Sequence, residues 1–152
     1  MSTWPPTDPV TIHDTSSSNF WTSKDNDIVL ETGSSKSDQN WNLIQDDDDA
    51  TIIYITQDSD EANLAITYDP NNSTKFVLKA YVSGNTYQQF VVSPASADKH
   101  VNIACKNKFT TTSGSTTTTT TEYAIAKSGD VKDSKIGPGT NDSKQWIVDT
   151  QA

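Results

Sequence analysis

The chain has 152 residues, a length that suits one domain, and only 32% of these residues are hydrophobic. Its net charge is −9 and it contains no arginine, so it lacks the basic face that binding to nucleic acid or to an anionic membrane needs. No run approaches the ~20 apolar residues that a membrane span requires, and we expect a soluble protein.

Short segments of alternating character, separated by turn-forming residues, run along the chain. Val101, Ile103 and Cys105 alternate with His100 and other residues, and such alternation predicts a strand with one buried face. No stretch combines a helical period with caps, so we predict an all-β protein. The predicted strands are 10–14, 19–23, 27–32, one from Trp41, 51–56, 62–67, 75–82, one from Phe90, 100–105, 108–112, 121–126 and one from Trp146.

A similar phrase begins every fourth strand. It reads SDQNWNLI at Trp41, YQQFVVSP at Phe90 and SKQWIVDT at Trp146, at intervals of about 50 residues. Twelve strands in three repeats of four predict a β-trefoil, in which a six-stranded barrel is closed by three hairpins. We predict one domain over 1–152, with repeats at about 9–46, 50–95 and 99–150 and the three aromatic side chains at equivalent buried positions.

The phrase resembles the Q-x-W motif of ricin-B-type β-trefoils. Gln39–Trp41 matches it fully, Gln88–Phe90 has Phe in place of Trp, and Lys144–Trp146 has Lys in place of Gln. The resemblance implies a sugar site made of an aspartate near the end of a second strand and a neighbouring aromatic platform. Tyr68 and Asp69 match that pattern best, and a carbohydrate-binding lectin is the alternative function.

A small, acidic, disulfide-free trefoil also resembles the fungal protease inhibitors that include the mycocypins and the cocaprins. This resemblance implies inhibition of cysteine and/or aspartic proteases by loops on a constant scaffold, which we take as the leading function. The predicted protease-binding loop lies between the second and third strands, although an ordinary hairpin turn explains the same residues equally well. The loop comprises Thr22, Ser23, Lys24, Asp25, Asn26 and Asp27.

Residues with catalytic or metal-binding chemistry are scarce. Cys105 is expected to face the core, and His100 to face the opposite side of the same strand. The run Asp46–Asp49 offers carboxylates for calcium, but adjacent residues of an extended chain point in opposite directions, which favours a solvated acidic turn. We therefore predict no enzyme activity, no metal and no cofactor.

The threonine-rich segment 110–121 predicts a hairpin with a turn at Ser113–Ser115. It is interpreted as a solvated hairpin, with a flat contact face for a partner or a second copy as the alternative. The single cysteine excludes an intrachain disulfide, and the first residues lack a secretory pattern. These features predict a cytoplasmic protein that is a monomer or a noncovalent homodimer.

Overall fold

A computed structural model describes residues 8–15, 19–33, 37–58, 63–69, 74–94, 99–106, 109–141 and 143–150. Within these ranges the regular structure consists of short strands and two 3-10 turns, Ser37–Gln39 and Thr86–Gln88, and none of the helices is long and apolar enough to cross a bilayer. The strands are β1 (Val10–Asp14), β2 (Asn19–Lys24), β3 (Asp27–Thr32), β4 (Trp41–Gln45), β5 (Ile52–Gln57), β6 (Leu64–Tyr68), β7 (Phe76–Ala80), β8 (Phe90–Pro94), β9 (His100–Cys105), β10 (Phe109–Ser113), β11 (Thr116–Thr120), β12 (Tyr123–Ala126), β13 (Ile136–Gly139) and β14 (Trp146–Thr150).

Six strands close on themselves. β1 pairs with β4, β4 with β5, β5 with β8, β8 with β9, β9 with β14, and β14 returns to β1, always antiparallel. A closed ring of this kind leaves none of its six strands as a free edge.

Three hairpins, β2–β3, β6–β7 and β12–β13, cover one end of this ring. Each is attached in the same way, because the first strand of its repeat pairs with the first strand of the hairpin: β1 with β2, β5 with β6 and β9 with β12. The hairpins also meet each other, β3 with β7 and β3 with the residue before β13. Ring and hairpins form one sheet of twelve strands in three groups of four, as the sequence predicted.

The prediction for the third repeat was wrong in its detail. The segment 108–112 was expected to be the second strand of that repeat, but β12 holds that place and β13 is the third strand. β10 and β11 form a separate two-stranded hairpin inserted between β9 and β12. The sequence of β13, IGPG, does not predict a strand, because glycine and proline are rare inside strands. Gly137 is needed there, since a Cβ at this position would lie 2.7 Å from the Cα of Lys75.

The aromatic phrases occupy the predicted positions. Trp41, Phe90 and Trp146 begin β4, β8 and β14, and all three are buried. The indole N–H of Trp41 donates to the carbonyl of Trp21 at 3.0 Å, and that of Trp146 donates to the carbonyl of Ala124 at 2.9 Å. Opposite the three aromatics lie Val10, Ile53 and Val101, each in the first strand of the same repeat. The three phrases therefore fill equivalent core positions.

Candidate binding loops

Two buried glutamines anchor the segments that lead into β4 and β8. The side-chain amide of Gln39 donates to the hydroxyl of Thr22 at 3.2 Å, and Gln88 makes the same contact with Thr67 at 3.2 Å. Each glutamine also donates to a carbonyl at or near the end of the third strand of its repeat. A buried amide satisfied in this way fixes the backbone around it, so these glutamines are structural residues.

In the third repeat Lys144 stands in the place of the glutamine. Its ammonium forms an ion pair with Asp130 at 2.6 Å and lies 4.4 Å from the ring centre of Trp146. The lysine thus ties the connection that leads into β13 to the core aromatic of its own repeat.

The loop between β7 and β8, residues 81–89, carries exposed apolar side chains on a fixed backbone. Val82 is 56% exposed and Tyr87 is 38% exposed. The N–H of Val82 donates to the side-chain oxygen of Gln88 at 2.8 Å, and the N–H of Tyr87 donates to the Asn85 side chain at 3.0 Å. Gly84 has a φ of +89°, a conformation that glycine adopts without strain. We call this segment the Tyr54-held loop.

Tyr54 fixes the loop through hydrogen bonds of its hydroxyl group. Its hydroxyl donates to Asp46 at 2.6 Å and accepts the N–H of Gly84 at 2.9 Å and the side-chain amide of Gln89 at 2.8 Å. Its ring is buried and packs edge-on against Tyr81 with 5.1 Å between ring centres. A hydroxyl has one donor and two acceptor sites, so this one is fully used.

The acidic run Asp46–Asp49 forms the neighbouring turn. Asp46 accepts the N–H groups of Asp48 and Asp49 at 3.1 Å each, and Asp49 accepts the N–H and the hydroxyl of Thr51. The hydrogen bond from Tyr54 lowers the pKa of Asp46, and the hydroxyl of Thr51 lowers the pKa of Asp49. The carboxylates of Asp46 and Asp49 thus close the turn, and no metal-binding cluster of His, Cys, Asp or Glu occurs among the described residues.

The predicted protease-binding loop is shorter than the sequence suggested. Thr22–Lys24 belong to β2 and Asp27 begins β3, so only Asp25 and Asn26 remain as a two-residue turn. Their φ values of 53° and 67° are those of the type I′ turn that suits a hairpin, and Asp and Asn tolerate such values. The expectation of a six-residue loop was wrong, while the contact of this turn with a protease stays a prediction.

The same turn is fastened to the rest of the cap. Thr22 is buried, and the hydroxyl of Ser23 accepts a hydrogen bond from Gln57 at 2.9 Å. The carbonyl of Asn26 accepts the N–H of Leu78 at 2.8 Å. Contacts of this kind leave the turn little freedom to enter a cleft in extended form.

Asp27, Lys75 and Lys135 form an ion triad where the three hairpins meet. Each of the three stands directly before a buried residue in the third strand of its repeat. The carboxylate of Asp27 lies 2.7 Å from the Lys75 ammonium and 3.3 Å from that of Lys135. Burial by itself raises the pKa of Asp27, but the hydrogen bonds and charges of the two lysines outweigh it, so the pKa is lowered.

We expect Asp27→Asn to lower the melting temperature at pH 7 by about 2–4 °C, because the lysines lose their carboxylate. A folded-state pKa below the ordinary 3.8 stabilises the fold above that value, and this stabilisation is lost as pH falls through the folded pKa. The difference between variant and parent should therefore shrink in strong acid, as measured by thermal unfolding at several pH values. If Asp27→Asn lowers the melting temperature by the same amount at pH 7 and in strong acid, the stabilisation does not come from the negative charge of Asp27.

The sugar platform predicted at Tyr68 is not open. Tyr68 is 3% exposed, its hydroxyl donates to Glu122 at 2.7 Å, and its ring stacks near Tyr87 with 6.5 Å between centres. Burial, followed by the hydrogen bond to Glu122, raises the pKa of its phenol. Asp69 follows at the end of β6 and is half-buried. A ring covered in this way offers no free face to a sugar.

Cys105 faces the core, as predicted. It is buried, and burial together with the nearby charge of Glu122 raises the pKa of its thiol to about 12. His100, at the start of the same strand, is half-buried on the alternate side, and the other histidine, His13, contacts Phe20 with 4.7 Å between ring centres. A thiol with such a pKa is a poor nucleophile at neutral pH.

No protein-family model and no curated protein sequence matches the chain, but solved structures do. ThreeFoil, a designed threefold-symmetric protein, is 10% identical with a TM-score of 0.68, and the match covers 94% of this chain and 99% of that protein. The BEL β-trefoil is 11% identical with a TM-score of 0.65, over 95% of this chain and 93% of the other. The fold is a β-trefoil.

A further structural match lies within a larger enzyme, the GlcNAcα1-4Gal-releasing endo-β-galactosidase of Clostridium perfringens. The two are 9% identical with a TM-score of 0.67, and the match covers 95% of this chain but only 33% of the enzyme. A mosquitocidal holotoxin matches at 9% identity with a TM-score of 0.72, over 95% of this chain and 17% of the toxin chain. At such identities the likeness concerns the fold alone.

Sequence reasoning missed the Tyr54-held loop. The segment 75–82 was predicted to be one strand, which placed Tyr81 and Val82 in regular structure, whereas β7 ends at Ala80. The sequence Ser83-Gly84-Asn85 indicates a turn, but it does not indicate which buried groups hold that turn. The hydroxyl of Tyr54 joins residues that are distant along the chain, and no sequence pattern marks that contact.

Proposed function

We propose that this β-trefoil inhibits cysteine and/or aspartic proteases by binding through the Tyr54-held loop, and that it does no chemistry itself. The observation that carries the proposal is a pair of exposed apolar side chains, Val82 and Tyr87, on a backbone fixed by buried groups. The turn at Asp25 and Asn26, by contrast, presents short polar side chains.

A loop that is ordered before binding loses little conformational entropy when it enters a cleft. Burial of apolar surface favours binding by roughly 25 cal/mol per Å² before the cost of association, and micromolar affinity corresponds to about −8 kcal/mol. The mechanism for a cysteine protease is occlusion, in which the loop covers the nucleophile without presenting an aligned scissile bond.

Aspartic proteases often work in acid, and the contacts of the loop suit those conditions. The hydrogen bond from Tyr54 depends on the Asp46 carboxylate, whose pKa is lowered. The contact therefore persists to lower pH than with an ordinary aspartate. Other carboxylates become protonated there, which reduces the net charge of −9 and any repulsion from an acidic protease.

The test compares two variants in inhibition assays against papain and pepsin. Val82→Ser with Tyr87→Ser is expected to weaken inhibition at least tenfold, because it removes the exposed apolar surface of the loop. The matched control is Val131→Ser, since Val131 is 55% exposed outside this loop, and it should leave inhibition unchanged.

Equal inhibition by parent and double variant would place the protease contact elsewhere. Asp25→Gly with Asn26→Gly then tests the first predicted site, because glycine keeps the positive φ of both residues while removing their side chains. Absence of inhibition in the parent, combined with retention on a glycan array, would favour the alternative function of a carbohydrate-binding lectin.

The absence of chemistry and a reducing, cytoplasmic location are parts of the same proposal. The one cysteine, Cys105, is buried with a raised pKa, and both properties suit a thiol that neither reacts nor pairs. With a net charge of −9 and no arginine, we propose no nucleic-acid or membrane partner.

A further inference from the structure

The hairpin β10–β11 is an addition to the fold. Connections 15–18 and 58–63 join the first and second strands in the other two repeats, whereas 106–122 makes this connection in the third. The ring and the three capping hairpins are complete without it, because their twelve strands form one sheet and β10–β11 forms another. An element that the scaffold does not need is available for contact with another molecule.

The outer edge of β11 carries main-chain groups that the hairpin itself does not use. Ser113 lies opposite Thr116 across the two-residue turn, and Thr111 lies opposite Thr118. Hydrogen-bonded and non-hydrogen-bonded pairs alternate along an antiparallel ladder, so the N–H and C=O groups of Thr117 and Thr119 point away from β10. In the described part of the chain β11 pairs with β10 alone.

Charge and sequence point to a second copy of this chain as the occupant of that edge. The segment 109–120 has no charged residue, although the chain has a net charge of −9, so the hairpin itself adds no charge repulsion where two copies approach each other. β11 consists of five threonines, and an antiparallel copy of it presents the identical sequence. Cross-strand threonine pairs are favourable in sheets.

We propose that two copies pair through β11, antiparallel about a twofold axis at Thr118, to form a four-stranded sheet from two hairpins. Thr117 then lies opposite the Thr119 of the second copy, and the two outward-facing residues of each strand give about four main-chain hydrogen bonds. Five residues bury little surface, so the dimer is weak and forms at high protein concentration.

The dimer has an unusual dependence on salt. Its contact is uncharged, while the bodies of the two copies repel each other through their net charges. Screening by salt acts on the repulsion and leaves the main-chain hydrogen bonds in place, so dimerisation strengthens as ionic strength rises. Association through ion pairs would change in the opposite direction.

Analytical ultracentrifugation of the full chain, from about 10 μM to 1 mM and at low and high salt, tests this pairing. Thr119→Pro removes one outward N–H from β11 and is expected to weaken the dimer at least tenfold. Thr110→Pro is the matched control, because Thr110 lies opposite Thr119 in the ladder and loses its N–H from the other edge of the hairpin. The control should dimerise as the parent does.

A parent chain that stays monomeric up to about 1 mM at both ionic strengths would overturn the proposal. An equal loss in both proline variants, or a loss in Thr110→Pro alone, would also overturn it, since the contact would then not be the β11 edge. The near-ultraviolet circular dichroism of both variants should match that of the parent, which shows that the twelve-stranded sheet is intact. The protease assays are independent of this outcome, because the Tyr54-held loop is not part of the contact.

Discussion

Replacing Trp41 with alanine should lower the free energy of unfolding by about 3–5 kcal/mol. The side chain is completely buried and its N–H is bonded to the carbonyl of Trp21, so the variant leaves both a cavity and an unpaired carbonyl. A domain of this size has about 5–15 kcal/mol of stability in total, and such a loss takes much of it. Urea unfolding followed by far-ultraviolet circular dichroism measures the change.

The chain itself supplies the control, because phenylalanine stands at the equivalent position in the second repeat. Trp41→Phe keeps most of the ring volume and loses the indole N–H, as Phe90 does naturally. We expect it to lose less than half the stability that Trp41→Ala loses. If both variants unfold at the same urea concentration as the parent, the three aromatics are not the core residues that their burial indicates.

The part of the fold that the sequence predicted is the part that repeats. The phrases at Trp41, Phe90 and Trp146 locate the fourth strands, since a core aromatic must recur wherever the ring of strands recurs. Alternation located the first strands equally well. Both signals arise from burial, which acts in the same way in every repeat.

The strand prediction failed in the third repeat, which differs from the other two. β13 contains Gly137 because the strand passes against the backbone at Lys75, so close approach replaced a strand-forming residue there. The threonines of β10 and β11 have high strand propensity and form the hairpin that was predicted for them, but 108–112 was also expected to be a strand of the main sheet, to which it does not belong. Propensity identified a strand in that case but not the sheet to which it belongs.

The candidate site was less predictable than the fold. Asp25 and Asn26 look like a loop in the sequence, but tertiary contacts of Asn26 and Asp27 fasten the turn to the cap. Tyr68 looks like an exposed platform, but the hydrogen bond to Glu122 holds it inside. In each case the deciding partner lies far away in the sequence, where local patterns carry no information.

Tyr54→Phe should weaken protease inhibition at least tenfold while lowering the free energy of unfolding by only about 1–3 kcal/mol. The ring stays in place, but the N–H of Gly84 and the side chain of Gln89 lose their acceptor, and Asp46 loses its donor. The scaffold remains folded because the aromatic core of the β-trefoil does not depend on this hydroxyl. The Tyr54-held loop then has to be ordered at the moment of binding, which reduces affinity.

Hydrogen exchange separates this effect from a general loss of stability. The amide of Gly84 should exchange much faster in Tyr54→Phe. Amides of the ring strands, such as that of Ile55, should exchange faster only to the extent that the free energy of global unfolding falls. Tyr68→Phe is the matched control, since it removes a buried hydroxyl that donates to Glu122 and does not contact this loop's backbone, so both exchange at Gly84 and inhibition should stay near those of the parent. Faster exchange at Gly84 with unchanged inhibition would show that the loop is held by Tyr54 but does not contact the protease.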